Sequence, residues 1–176
     1  YRSFAAWKKD LGQASCWGDS LKGGDCPSLD LIGITDIYSN QYAYIAWDKD
    51  LGQSICWGDS DWGGDCSHVD FSDVTDIYTN VYAFVAWKRD LGQASCWGSS
   101  YWGGDCSRVD FSNVTEIHSN PNAFVAWKKD LGQATCWGSS LEGGDCSSID
   151  FSNVTEIHKN SNAFVALKKD LGQAIC

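Results

Sequence analysis

Along residues 83–98, "AFVAWKRDLGQASCWG", four apolar positions in a row (Phe84, Val85, Ala86, Trp87) lead into a polar turn, and a second mixed run follows it. Aromatic and β-branched residues on either side of a glycine-containing turn predict a β-hairpin. Gly92 supplies the positive φ needed by either a type II turn or a type I turn with a G1 bulge around Asp90-Leu91-Gly92-Gln93. The first strand does not alternate cleanly, so both of its faces are expected to be covered, as in a sheet stacked between neighbours. After the hairpin comes a Gly-Gly-Asp loop, then "VDFSDVTDIYTN" (69–80). Val69 and Phe71 suggest a short strand there, and the spacing of Val74 and Ile77 allows a turn of helix.

The same pattern returns every 40 residues. Four full units span 1–40, 41–80, 81–120 and 121–160, and a partial fifth spans 161–176. A fixed period of this size marks solenoids, propellers and arrays, in which a unit buries its apolar face only by stacking on the next. The expected fold class is therefore all-β, a tandem array of propeller-blade-like units closed as a propeller or open as a superhelix. The Asp-Leu-Gly-Gln turn, the Gly-Gly-Asp-Cys loop and Asn40, Asn80, Asn120 and Asn160 do not change between units. These are residue types that turns require. Eight of the ten tryptophans fall in two columns, Trp7, Trp47, Trp87 and Trp127 in one and Trp17, Trp57, Trp97 and Trp137 in the other, where they are expected to fill gaps between stacked units. Trp62 and Trp102, with Tyr101, stand in loop columns that vary (Leu21-Lys22, Asp61-Trp62, Tyr101-Trp102, Leu141-Glu142), which predicts exposure and a ligand or assembly contact.

Nine cysteines in 176 residues place the chain in an oxidising, extracellular or secreted setting. Each pair lies ten residues apart with no histidine at a fixed column, which argues against zinc. Two disulfide registers remain. One closes each loop, Cys16–Cys26, Cys56–Cys66, Cys96–Cys106 and Cys136–Cys146, leaving Cys176; the other joins units, Cys26–Cys56 through Cys146–Cys176. The loop register is favoured because the ends of a short glycine-rich loop easily approach bridging distance. No cofactor is indicated. Calcium is the one candidate ion, through Asp19, Asp25 and Asp30, and it is weakened because Asp19 and Asp59 become Ser99 and Ser139.

Thirteen basic against 23 acidic residues give a net charge of −10, the wrong sign for neutralising phosphates, so nucleic acid is not an expected partner. No apolar run approaches the roughly 20 residues needed to cross a bilayer as a helix, so no membrane insertion is expected. The absence of methionine and the end at Cys176, within a unit, suggest a piece of a longer array. Asn113-Val-Thr115 and Asn153-Val-Thr155 match the N-glycosylation acceptor pattern. His68 stands where Ser28 and Arg108 stand in other units, and His118 and His158 replace Tyr38 and Tyr78. No histidine has a fixed acid or nucleophile beside it, so no enzyme is expected.

The order from Val74 to Gly98, "VTDIYTNVYAFVAWKRDLGQASCWG", resembles the repeat of the regulator-of-chromosome-condensation family: a hydrophobic pair, a small-residue strand, an acidic-glycine turn and a strand ending in Trp-Gly. The resemblance covers somewhat over half of the chain. It implies β-propeller units, in a family whose rings are typically seven-bladed with units of about 50 residues. Some members act in nucleotide exchange on small GTPases or in chromatin binding, others as interaction platforms. The shorter units, paired cysteines and acidic charge depart from that pattern, so the β-unit is carried over and the exchange activity is not. Two functions follow. The first is a structural array or filament built by self-association, head to tail or lateral, since identical units offer identical faces. The second is a lectin-like or protein-docking propeller that binds glycans or proteins through Trp62, Tyr101 and Trp102.

Overall fold

A computed structural model describes residues 3–26 and 29–176. Among these residues the strands fall into five small antiparallel sheets. The first is the hairpin β1 (Ser3–Lys8) and β2 (Gln13–Gly18). Three-stranded sheets follow: β3 (Asp36–Ser39), β4 (Ala43–Asp48), β5 (Gln53–Gly58); β6 (Asp76–Thr79), β7 (Ala83–Lys88), β8 (Gln93–Gly98); β9 (Glu116–Ser119), β10 (Ala123–Lys128), β11 (Gln133–Gly138). The last sheet is β12 (Glu156–Lys159), β13 (Phe164–Lys168) and β14 (Gln173–Ile175). Each unit is thus one propeller-type blade, and the expected all-β tandem fold is the fold found. The blades run out of phase with the units numbered from Tyr1, because each unit boundary falls between a blade's first and second strands.

The hairpin expected at 83–98 is present, with Ala83 opposite Gly98, Val85 opposite Cys96 and Trp87 opposite Ala94. Its turn is a 3-10 turn, Arg89–Leu91, closed by Gly92 at φ 61, ψ 38. That is the alternative built on a type I turn, since a type II turn would need an extended residue before the glycine. The expectation for 69–80 needs correction. Val69 and Phe71 lie in irregular chain, and the strand begins later, at Asp76, so that Ile77 pairs with Ala86 and no helical turn forms. Val69, Phe71 and Val74 are apolar because they wedge between two blades.

All six residues of β7 are buried, as are all six of β10. One face of a middle strand meets the preceding blade and the other meets the following one, which is why the sequence shows no clean alternation. Between the second and third sheets, Ile45 and Trp47 of one blade and Phe84, Ala86 and Trp97 of the next close over Phe71, Val74 and Cys66 of the connecting loop. The next interface repeats this with Val85, Trp87, Phe111, Val114, Phe124 and Trp137. In both, one ring stacks on the tryptophan (Phe84–Trp97 and Phe124–Trp137, each 5.2 Å) and another meets it edge-on (Phe71 and Phe111, each 5.7 Å). The indole N–H of Trp137 donates to the Gly103 carbonyl at 3.1 Å. Gly103 sits against the stack: a Cβ there would lie 2.7 Å from the Phe124 ring, and its φ is 102°. Replacing such a core ring by alanine typically costs about 3–5 kcal/mol, so these columns hold neighbouring blades together. At the first blade the corresponding Phe4 and Trp17 still stack, at 5.7 Å, but are about half exposed.

The disulfides take the loop register: Cys16–Cys26, Cys56–Cys66, Cys96–Cys106 and Cys136–Cys146, with Cα separations of 5.5–5.8 Å. Cys176 is free and exposed. Each bridge ties a blade's outer strand to the start of the loop that leads to the next blade.

Candidate functional site

At one end of each three-stranded blade the turn between its first and second strands projects toward a common axis. Residues 39–41, 79–81, 119–121 and 159–161 line a single cavity of about 460 Å³, so equivalent residues of four successive blades converge on one mouth. The turns are held by asparagine. Asn80 Oδ1 accepts from the Tyr82 and Ala83 amides, both at 2.8 Å, and its Nδ2 donates to the Trp102 carbonyl at 2.6 Å. Asn40 does the same toward Tyr42, Ala43 and Trp62, and Asn120 toward Asn122, Ala123 and Glu142. One buried side chain therefore fixes the hairpin tip and anchors the glycine-rich loop of its own blade beside it, which is why this column never varies.

That anchoring assembles a ladder of rings. The Lys22 ammonium lies 4.6 Å above Tyr42; Tyr42 stacks on Trp62 at 5.2 Å; Trp62 meets Tyr82 at 5.2 Å; Tyr82 meets Trp102 at 4.8 Å; and Tyr101 stands edge-on to Trp102, also at 4.8 Å. Lys22 also bridges to Asp59 at 2.5 Å. Each such aromatic pair contributes about 0.5–1.5 kcal/mol beyond its buried area, so the ladder links three blades along the rim of the mouth. Burial raises the Tyr82 hydroxyl above the ordinary phenol value.

Of the three rings singled out from sequence, Trp62 and Trp102 are half-buried in this ladder and only Tyr101 is well exposed, at 59%. Loop variability therefore overstated the exposure of both indoles. Tyr42 and Tyr82 were missed, although their replacement by asparagine in the later units (Asn122, Asn162), with tryptophan 20 residues on only where tyrosine stands (Trp62, Trp102, but Glu142), is the signal that could have found them. The columns that vary most freely at this end are 21 (Leu21, Asp61, Tyr101, Leu141), 22 and 41 (Gln41, Val81, Pro121, Ser161). Column 41 lines the mouth, columns 21 and 22 lie in the glycine-rich loops that the asparagines anchor beside it, and Leu21, Tyr101 and Leu141 are 75%, 59% and 87% exposed.

The other candidates lie apart. Asn113 and Asn153 are exposed and occupy the left-handed region (φ 59° each), as do Asp73 and Gly33 in the same column. A turn that needs positive φ accounts for Gly, Asp or Asn at this place. The Thr115 hydroxyl of the first acceptor triplet is bonded to the Trp127 carbonyl and the Lys129 amide. Asp19 and Asp30 accept from the Leu21 and Ile32 amides as turn formers. Among the described residues no group of three or more His, Cys, Asp or Glu is placed to hold a metal ion. His118 packs against Trp127 and beside Glu116, His158 sits beside Glu156 on the equivalent strand of the next blade, near enough to act on His118, and His68 is exposed in a loop apart from both.

No family model matches the chain, and no curated protein matches it. Solved structures do. The ectodomain of the Physcomitrella patens receptor kinase CR4 superposes with a TM-score of 0.57 at 18% identity, over 82% of this chain and 40% of that one. The CRINKLY WD40 ectodomain of the Arabidopsis thaliana receptor kinase ACR4 superposes with a TM-score of 0.53 at 12% identity, over 94% of this chain and 56% of that one. At these identities the likeness is one of fold, and the chain spans about half the length of these neighbours or less. Among the described residues no helix is long and apolar enough to cross a membrane.

Proposed function

We propose that this chain is a non-enzymatic recognition module that works outside the cell and docks a protein partner on its axial face. One observation carries the reading: Gln41, Val81, Pro121 and Ser161 differ from blade to blade and line one mouth, and the loops that the neighbouring asparagines anchor carry the other varied columns, while the frame beneath is constant. A repeat that only had to stack would have no reason to gather its variation in one place. The four disulfides and the ectodomain fold of the solved neighbours support an extracellular setting. A protein partner fits better than a glycan, because a sugar stacks on a free ring face and the faces of Tyr42, Trp62 and Tyr82 are spent on one another.

The test is a panel of immobilised extracellular proteins and glycans probed with the oxidised chain and with its Leu21→Ser/Tyr101→Ser/Leu141→Ser variant. These three side chains project into solvent, so the variant should keep its fold. A protein ligand that is lost in the variant supports the reading. Binding that survives the triple change, or a glycan as the sole ligand, overturns it.

A second reading, an array built by self-stacking, is favoured by the sameness of the Phe84–Trp97 and Phe124–Trp137 interfaces and by the open Phe4–Trp17 pair. Electron microscopy of unreduced native material separates the two, since the array requires fibres with a regular axial repeat.

A further inference from the structure

The end of the blades opposite the mouth carries an apolar row that the core does not use. Leu11, Leu51, Leu91, Leu131 and Leu171 each occupy the tip of the turn between the second and third strands, and each is exposed, between 53% and 69%. The turn itself needs the following glycine, which is left-handed in all five (φ 59–63°), and any residue could stand before it. Two of the other large exposed apolar side chains, Phe4 and Trp17, belong to columns buried in the next blades. The rest have a polar counterpart in a sibling unit: Leu21, Tyr101 and Leu141 have Asp61, and Ile32 has Ser72. The leucine column has none.

Charge says what would cover it. Each leucine follows an exposed aspartate (Asp10, Asp50, Asp90, Asp130, Asp170) that forms no ion pair among the described residues. The cations of the same turns are already engaged: Lys49 over Trp47 and onto the Thr75 carbonyl, Arg89 over Trp87 and onto Asp76, Lys129 over Trp127 and toward Glu116. The rim therefore shows leucines beside unpaired carboxylates, while its ammonium and guanidinium groups, exposed as well, are engaged by rings, carbonyls and other carboxylates. A second copy at net charge −10, or an anionic membrane, would meet like charge there. We propose that this rim is a second docking surface, separate from the axial face, for a basic polypeptide segment that carries apolar side chains between its lysines or arginines. Burial of the leucines supplies affinity, and the aspartates select the charge.

The probe is a labelled synthetic peptide of alternating leucine and lysine, compared with serine–lysine and leucine–glutamate versions, by fluorescence anisotropy against the full oxidised chain. The expected result is saturable binding of the leucine–lysine peptide, weakened about 10-fold or more by Leu51→Ser/Leu91→Ser/Leu131→Ser and unchanged by Leu21→Ser/Tyr101→Ser/Leu141→Ser, with both control peptides at least about 10-fold weaker. Equal binding of the serine–lysine peptide, or no effect of the rim variant, would mean charge alone and overturn the proposal. So would a wild-type oligomer, or binding to phosphatidylcholine–phosphatidylglycerol vesicles, that the rim variant abolishes, because a second copy or a lipid surface would then be the occupant. Failure here leaves the axial-face reading standing, since that reading is read out by the other triple variant.

Discussion

Replacing Asn80 tests whether the turn asparagines hold the axial face together. The side chain is 6% exposed and makes three bonds to backbone: from the Tyr82 and Ala83 amides to its Oδ1, and from its Nδ2 to the Trp102 carbonyl. In Asn80→Ala all three partners lose their mate. Ala83 is fully buried, so its N–H cannot turn to water, and the Trp102 carbonyl sits under the ladder; the Tyr82 amide is partly open. At about 1–3 kcal/mol for each buried group left unpaired, and less for Tyr82, the loss comes to about 3–5 kcal/mol. Asn80→Asp keeps both acceptor bonds but turns a carboxylate oxygen toward the Trp102 carbonyl in a nearly buried site, so at pH 7 it should be at least as damaging as alanine. Urea unfolding followed by tryptophan fluorescence measures both. If either variant lies within about 1 kcal/mol of wild type, the asparagine is not acting through these three bonds.

Removing one internal bridge as Cys96→Ala/Cys106→Ala reopens a loop of separation 10, and the chain-entropy relation gives a loss of about 2.7 kcal/mol. The Cys56–Cys66 pair should match it to within about 1 kcal/mol, because both close the same loop between equivalent blades; denaturation of the unreduced variants would show whether the two agree. His118 gives a pH test. Burial against Trp127 holds its pKa below the ordinary 6.5, in spite of the opposing pull of Glu116, with Lys159 and His158 adding to the depression. The unfolded chain therefore takes up the proton first, and stability should fall as the pH drops through 6.5 toward the folded value. His118→Tyr, which restores the residue of the Tyr38 and Tyr78 positions, should remove that part of the slope; urea midpoints at pH 7.5 and 5.5 that change equally in both proteins would refute it.

Much of the frame was legible because it is written locally. A hairpin is a property of sixteen contiguous residues, the loop bridge spans ten, and the two tryptophan columns are large rings at places where a stacked blade must be filled. What escaped was what parts distant in sequence supply to each other, in the same blade or in the next. Val69 and Phe71 have the composition of a strand and lie in irregular chain because the gap between two blades, not a partner strand, receives them. Tyr42 and Trp62 are twenty residues apart and meet only after Asn40 ties the loop to the hairpin tip. The leucine of the Asp-Leu-Gly-Gln turn reads as one more apolar residue beside a strand, and only the direction of the turn puts it in water. The convergence of four tips on one axis depends on a small rotation from each blade to the next, which no residue encodes by itself.

One place shows how far the columns constrain each other. Lys88, Lys128 and Lys168 each reach back 18 residues to Asp70, Asp110 and Asp150 at 2.6–2.8 Å, holding those carboxylates well below their usual range. The second unit has Asp48 at that position. Instead of reaching back it turns on its own hairpin, where Oδ1 accepts from the Asp50 and Leu51 amides, both at 3.0 Å. A Cβ on residue 33 would then lie 2.9 Å from Asp48 Oδ2, and residue 33 is glycine, whereas Asp73, Asn113 and Asn153 fill that column in the other units. The two departures fall in facing positions: the carboxylate crowds a Cβ at 33, and the bare glycine leaves the carboxylate its room. A tie between loop and blade has been exchanged for a cap within the hairpin, with Leu31, Ile34, Tyr44, Ala46 and Trp57 still packed at the interface. Blade stacking is therefore carried by the apolar columns, and the ion pairs set the path of the loop between them.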